Sequence, residues 1–388
     1  MSRHDSPSTA TNETPGRSTA TGTDRPKAVN RREFLRLTHG LGGAAAVTAV
    51  AGCTGGGGTP TATETPAGTP TTTGTPEPVS MHHVVPEGSF YVVPFLYGVE
   101  NDAWSQYGID LQVEVGPFPK FQRQIVADLA DVGGMPMVSA IDFRNKGEDL
   151  TWLGPGMTFA NFMLAPADSD IETPEDIEGK RLGVPFQTST TTLGYRALMQ
   201  DAFGMSLLDA PSSVRAAAPP VIWNLMNQGE LDVIIEFSGF SIRGKVSKDV
   251  RVVFNPIEYW QREYGSVVPL TQRTARMSWL QESPANADLA IRWGKGWAAS
   301  LEIFRNNIND AINRYGRLGG LTSEAMAQVV VQRMEQEVQF STPPYTQEQA
   351  DSNWQFAKAL QSAGVFETLP DRESMITLGS ELEELASG

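Results

Sequence analysis

Apolar positions follow regular spacing along most of this 388-residue chain, but only downstream of about residue 80. Tyr107-Gly108-Ile109-Asp110-Leu111-Gln112-Val113-Glu114-Val115 alternates apolar and polar, as a half-buried strand does. Val79 to Val85 is a short apolar run before Pro86-Glu87-Gly88-Ser89, which predicts a strand and then a loop. Phe90 to Tyr107 reads as an aromatic-rich helix and Phe121 to Ala127 as another. Ala130 to Gly133 reads as a strand end feeding a glycine loop. Farther on, Arg181 to Val184 predicts a strand and Gln187 to Thr192 a polar turn. Leu193 to Phe203 then predicts a helix closed by Gly204. In Met226 to Phe237 a helix ends at Gly229, and a strand of the fully buried type follows, with Glu236 at its carboxyl end. Strand and helix signals alternate, so the fold class is α/β. From Ala285 onward the pattern is helical. Ala290, Ile291, Trp293, Trp297, Leu301, Phe304, Ile308 and Ile312 form one apolar stripe, on which the tryptophans read as core. No internal repeat is present.

Composition changes the picture upstream. The single cysteine, Cys53, excludes a disulfide framework and a cysteine-based zinc site. It is followed by Gly55 to Gly58 and a Thr/Pro run, on which no core can be built. Residues 54–78 carry only Glu64 and Glu77 as charges and no large apolar side chain. Such a segment cannot bury enough surface to offset its ordering entropy, so it is expected to be a disordered tether. Formal net charge is −15. The first 52 residues carry seven Lys/Arg against four Asp/Glu, so removing that +3 segment leaves −18. So acidic a surface repels phosphates and argues against a nucleic-acid partner. Eight lysines against 22 arginines, with this acidity, suggest a halophile, because molar salt screens the self-repulsion.

The start of the chain reads as an address. Arg31-Arg32 stand together ahead of Phe34-Leu35, and a Gly/Ala-rich apolar run follows from Leu41 to Gly52. The run is short of the ~20 residues that a membrane span needs. The paired arginines resemble a twin-arginine export signal. Val50-Ala51-Gly52-Cys53 resembles a lipobox, which implies cleavage and lipid attachment at Cys53. The expected organisation is a signal peptide (1–52) and a tether (53–80), then the first part of lobe 1 (81–165) and lobe 2 (166–266). Residues 267–388 are expected to return to lobe 1 and supply C-terminal helices.

Two places in the body attract chemistry. Thr188, Ser189 and Thr190 lie in a run of hydroxyls at a strand-to-helix turn, where helix N–H groups offer a site for an anion or carboxylate-like group. One such residue would suffice for capping. Glu236 stands where ligands bind in open α/β sheets, and a hinge or interlobe ion pair competes as its role. His82 and His83 are the only histidines after residue 80. As strand neighbours they point to opposite faces and cannot chelate one metal side by side, so a solvated edge is expected. No nucleophile elbow or P-loop occurs. Asp168-Ser169-Asp170-Ile171-Glu172 opens like a calcium loop but has Thr173 where glycine is required. No cofactor, no metal site and no enzymatic activity are expected.

Taken in order, YGIDLQVEV, ADVGGMP, ETPEDIEGKRLGVPFQTST…LGYRALMQDAFGM and MNQGELDVIIE, with the helical last third, resemble the solute-binding proteins of ABC importers. The group is the nitrate, sulfonate, taurine and thiamine-precursor one. The resemblance implies a two-lobed periplasmic-binding-protein-like (type II) fold. Crossover strands are expected near Phe162 to Pro166 and near Val267 to Trp279. It also implies a cleft lined by Gly88, Ser89, Phe90, Tyr91, Gly133, Gly134, Met135, Thr188, Ser189, Thr190 and Glu236, with Phe186 as a further aromatic. The chain departs from the family at Phe237-Ser238-Gly239, where a proline is usual, and at Asp102-Ala103-Trp104, which replaces a GLF pattern. A small-molecule ligand and a membrane permease with its ATPase are the implied partners, and the protein is expected to be monomeric. Glu236 beside the ligand would favour one bearing a donor or amine. A surface sensor of the same fold, or a pyrimidine-precursor enzyme, are alternatives.

Overall fold

A computed structural model describes residues 78–388 apart from 322, 337–339, 341 and 343. Arg31, Arg32, Cys53 and most of the tether lie outside the described residues. In chain order the strands are β1 (Val79–Pro86), β2 (Ile109–Gly116), β3 (Val132–Pro136), β4 (Leu150–Pro155), β5 (Met163–Pro166), β6 (Arg181–Pro185), β7 (Ser213–Ala217), β8 (Val233–Ile235), β9 (Val250–Phe254) and β10 (Thr271–Arg276).

Lobe 1 holds β1 to β4 and β10. β1 and β2 run parallel, paired from Val79–Ile109 to Pro86–Gly116, and are joined by a crossover that contains the helix Val92–Glu100. β10 lies between β3 and β4, antiparallel to both. Lobe 2 is a five-stranded sheet in the order β7-β6-β8-β5-β9, parallel across β7, β6 and β8 and antiparallel where β5 joins. Residues 156–162 cross from lobe 1 to lobe 2, and 265–270 cross back. The two segments lie side by side, with the Leu270 N–H on the Met157 carbonyl at 2.8 Å and the Phe159 N–H on the Val268 carbonyl at 2.9 Å. The first crossing is therefore several residues earlier than expected, because Met163–Pro166 already belongs to the lobe 2 sheet.

The C-terminal helices serve both lobes. Pro284–Asn306 and Ile308–Tyr315 pack on Val92–Glu100 of lobe 1. Glu324–Gln336 packs on the lobe 2 helix Ser238–Val246, and Gln347–Ser362 on the lobe 2 helix Thr190–Phe203. Gly379–Ser387 then returns to Pro284–Asn306. The segment expected to rejoin lobe 1 thus also straps lobe 2.

The apolar stripe becomes the lobe 1 core. Phe95 stacks between Trp297 (4.3 Å, 15° between planes) and Trp104 (5.4 Å, 15°), with Trp293 alongside. Such aromatic pairs add about 0.5–1.5 kcal/mol each beyond area burial. The expected helix from Phe90 to Tyr107 is shorter, because the chain breaks at Asn101 and Asp102 takes a left-handed φ of 58°. Burial of Trp104 explains the break: the turn carries its ring into the core, where its Nε1 donates to the Trp293 carbonyl at 3.2 Å.

Candidate cleft between the lobes

The carboxyl ends of several strands meet helix N-termini between the lobes. Pro86 ends β1 and precedes Ser89 and Tyr91, where the helix Val92–Glu100 begins. Pro136 ends β3 and caps the helix Met137–Asn145. Ser189, after β6, caps Thr190–Phe203 through its Oγ, which accepts from the Thr192 N–H at 3.1 Å. Phe237, after β8, precedes the helix Ser238–Val246. Four helix N-termini therefore face one space, and each directs partial positive charge into it.

In this closed form that space has a cavity volume of about 30 Å³. Lobe 1 contributes Pro86, Ser89, Tyr91, Phe118, Phe121, Pro136 and Thr271; lobe 2 contributes Thr190, Thr191, Phe237 and Ser238; the crossings contribute Met157, Asn161 and Leu270. Among the described residues no charged side chain lines the wall. The polar groups are hydroxyls and one amide. Tyr91 and Asn161 are fully buried, and the Tyr91 hydroxyl and the Asn161 Oδ1 have no hydrogen-bond partner in the protein. An uncompensated buried polar atom costs about 1–3 kcal/mol. Burial pushes the Tyr91 phenol up, against a weaker opposing pull from Arg273, so it stays a neutral donor. Asn161 is held in place by its Nδ2 on Thr191 Oγ1 and by the Tyr195 hydroxyl on its carbonyl at 2.8 Å.

The lobes are closed on each other. The Val138 N–H of lobe 1 donates to Thr190 Oγ1 of lobe 2 at 3.2 Å, and Gln122 Nε2 donates to the Thr188 carbonyl at 3.3 Å. Across the same gap Phe118 stacks on Phe186 at 5.4 Å with planes 5° apart. Phe118 also meets Phe237 at 5.7 Å.

Of the residues singled out from sequence, Ser89, Tyr91 and Thr190 line the cavity. Gly88, Phe90, Gly134, Met135, Thr188, Ser189 and Glu236 do not. Phe90 is fully buried against Phe304 and Phe340, and Ser189 is spent on capping. The helix it caps begins at Thr190, three residues before the expected start. The expected glycine loop is instead strand β3: Gly133 and Gly134 are small because a Cβ would strike His83 at 2.6 Å and the Tyr91 hydroxyl at 2.1 Å.

Glu236 lies wholly inside lobe 2, behind Phe237. Burial drives its pKa well above the usual carboxylate range, against weaker pulls from the Phe237 N–H and the Arg243 guanidinium. Buried behind Phe237 and off the cavity wall, the carboxyl does not face a solute there and supplies no argument for a ligand amine. His83 also departs from expectation. It is not on a solvated edge but fully buried, because β1 is covered on the side where Phe95 (4.5 Å), Trp293 (5.5 Å) and Tyr91 (6.2 Å) pack. Burial, helped by nearby His82, lowers its pKa to about 3. His82 sits at the half-open face, its Nδ1 3.0 Å from the Leu129 carbonyl. Among the described residues no group of three or more His, Cys, Asp or Glu is placed to hold a metal.

Phe118, Phe121, Asn161, Phe237, Ser238 and Thr271 were not singled out from sequence. Phe118 and Phe121 follow the carboxyl end of β2 in Gly116-Pro117-Phe118-Pro119, a strand-end signal of the kind that marked Glu236.

Two α/β lobes, paired crossing segments and a cleft at strand carboxyl ends define the periplasmic-binding-protein fold. Solved structures with this fold include the periplasmic aliphatic sulphonate binding protein SsuA of Escherichia coli: TM-score 0.61, 16% identity, covering 78% of this chain and 92% of that one. The alkanesulfonate-binding protein SsuA of Xanthomonas axonopodis pv. citri, bound to MOPS, gives 0.59 and 14%, covering 78% and 100%. A Candida albicans gene product described as having the generic periplasmic binding protein fold gives 0.52 and 13%, covering 78% and 96%. Residues 89–272, which carry all of the cleft except Pro86, match the NMT1/THI5-like family model. No curated protein matches the chain in sequence.

Proposed function

We propose that this chain is the solute-binding component of an ABC importer, capturing a small polar or anionic organic solute between its lobes and delivering it to a permease. In this reading the Arg31-Arg32 signal exports the chain, and a lipid on Cys53 holds it at the outer face of the cell membrane. The tether lets the folded body reach the permease, whose ATPase lies inside. The observation that carries the reading is the cleft: walls from both lobes, a lining of hydroxyls and one amide, and four converging helix N-termini.

Mechanism follows from that geometry. The open form admits solute, and the closed form wraps it, so binding shifts the population by the difference in affinity between the two. Phe118, Phe121, Phe237 and Tyr91 supply flat apolar contact. Ser89, Thr190, Thr191, Ser238 and Thr271 supply hydroxyls, and Asn161 an amide. Negative charge on a sulfonate, nitrate or similar group is stabilised by helix N-termini and hydroxyls instead of by a fixed cation. Among the described residues no histidine or carboxylate lines the wall to activate one of those hydroxyls as a nucleophile, which favours binding in this reading.

The test is a thermal-shift screen of the protein in molar salt. The panel holds taurine, alkylsulfonates, MOPS, nitrate, bicarbonate and aminopyrimidines. Ligand at 100 times its Kd stabilises by about 2.7 kcal/mol, a shift of several degrees. One clear class of hits supports the reading; a flat panel from a folded sample counts against it.

A further inference from the structure

Beside the cleft, three parts of the chain meet at glycines. The loop Gly316 to Leu321 joins two C-terminal helices, Ile308–Tyr315 on lobe 1 and Glu324–Gln336 on lobe 2. Its base is fixed to lobe 1, where the Tyr315 hydroxyl donates to Glu100 at 2.8 Å and Arg314 pairs with the same carboxylate. Its tip reaches the cleft loop of lobe 1, where the Gly88 N–H donates to the Leu318 carbonyl at 2.8 Å. From there it touches lobe 2. The Gly319 carbonyl oxygen occupies the place of a Cβ on Gly239, 1.7 Å from where that atom would stand, and Gly88's own carbonyl is 3.4 Å from it. Gly320, at φ +79°, lies against the Phe240 ring, 3.1 Å from where its Cβ would be.

Gly88 adjoins Ser89 and Gly239 adjoins Ser238, both on the cavity wall. If lobe 2 moved away, the Tyr315 and Gly88 bonds would hold the near end of the loop on lobe 1 while its far end, leading into Glu324–Gln336, followed lobe 2, so that Gly239 would separate from Gly319. We propose that Leu318-Gly319-Gly320 is a latch that engages Gly239 of lobe 2 only in the closed form and so sets how long a solute stays enclosed. The latch rests on the solute-binding reading for its use, but not for its existence.

The test measures closure directly. Spin labels on Asp110→Cys in lobe 1 and Lys248→Cys in lobe 2, in a full-length Cys53→Ser background, report the interlobe distance distribution by pulsed electron resonance. Gly239→Ala puts a methyl where the Gly319 oxygen lies. The expected result is a shift to longer distances, with the closed fraction down about tenfold, the change that ~1.4 kcal/mol produces. Gly229→Ala is the control, since its left-handed φ of 72° has nothing within 4 Å to strike, and its distances should match the parent's. Gly320→Ala should move distances the same way but less, and it carries the test if Gly239→Ala does not fold. Unchanged distances in the folded glycine variants would overturn the latch, whatever the ligand panel gives. A flat ligand panel together with a distance shift would instead remove the solute reading and leave the latch standing.

Discussion

Behind the same cleft a buried group in each lobe responds to acid, and the two respond in opposite ways. In lobe 1 it is His83, packed among Phe95, Trp293 and Tyr91; in lobe 2 it is Glu236, behind Phe237. Desolvation is the largest cause for both, and it disfavours the charged form of each. The unfolded imidazole titrates near 6.5 and the folded one near 3, so lobe 1's contribution is complete above about 6.5 and is lost as pH falls toward 3. For Glu236 the folded carboxyl keeps its proton where the unfolded one has released it, so stability is full below the ordinary glutamate pKa and declines as pH rises above it. The contrast shows how a cleft in so acidic a protein stays free of fixed charge. Among the described residues no charged side chain lines it, and burial disfavours the charged forms of His83 and Glu236 behind it.

The comparison can be broken most forcefully in the lobe 1 core. Trp297→Ala removes the ring stacked on Phe95 and should cost about 3–5 kcal/mol, read as a fall in urea midpoint. A loss under 1 kcal/mol would mean that the aromatic cluster does not carry lobe 1. Next comes acid. At pH 5 the His83 contribution should already be down by about 2 kcal/mol, from ~1.4 kcal/mol per unit of separation. His83→Leu should flatten that limb of the stability–pH curve, and a curve parallel to the parent's would remove His83 as its cause. Glu236→Gln keeps the shape without the ionisable proton. It should raise the melting temperature by a few degrees at pH 8 and leave it unchanged at pH 4. Equal effects at both pH values would show that the carboxyl is already ionised in the folded state. The smallest effect belongs to the contact between the lobes. Thr190→Val deletes the acceptor of the Val138 N–H and should weaken closure by about 1 kcal/mol, seen as roughly fivefold faster solute release in stopped flow.

What the sequence revealed follows the range of the interactions. Period-two alternation located β2, and the buried-type run located β8, because each strand's own spacing of apolar side chains records which of its faces are covered. Gly204 closed its helix as read, at a φ of 63°, because a left-handed C-cap is a local requirement. Positions set by remote partners were read less well. His83 looked polar and solvated until Phe95 and Trp293 covered it. Gly133 and Gly134 looked like a loop, yet they are strand glycines that make room for His83 and Tyr91. Asn161 stands in an apolar run, and nothing local announces that Thr191 and Tyr195 fix it beside a cavity. Glu236 was placed correctly at a strand end, but which side of the wall it faces depends on the packing of lobe 2.

The most direct measurement pairs one aromatic from each lobe. Phe118→Ala and Phe237→Ala should both leave the protein folded, and calorimetric titration with the strongest ligand of the panel should show each weakening binding at least tenfold. That joint loss is what a solute held between the lobes requires. Full affinity in either variant would contradict it and place the ligand elsewhere on the protein.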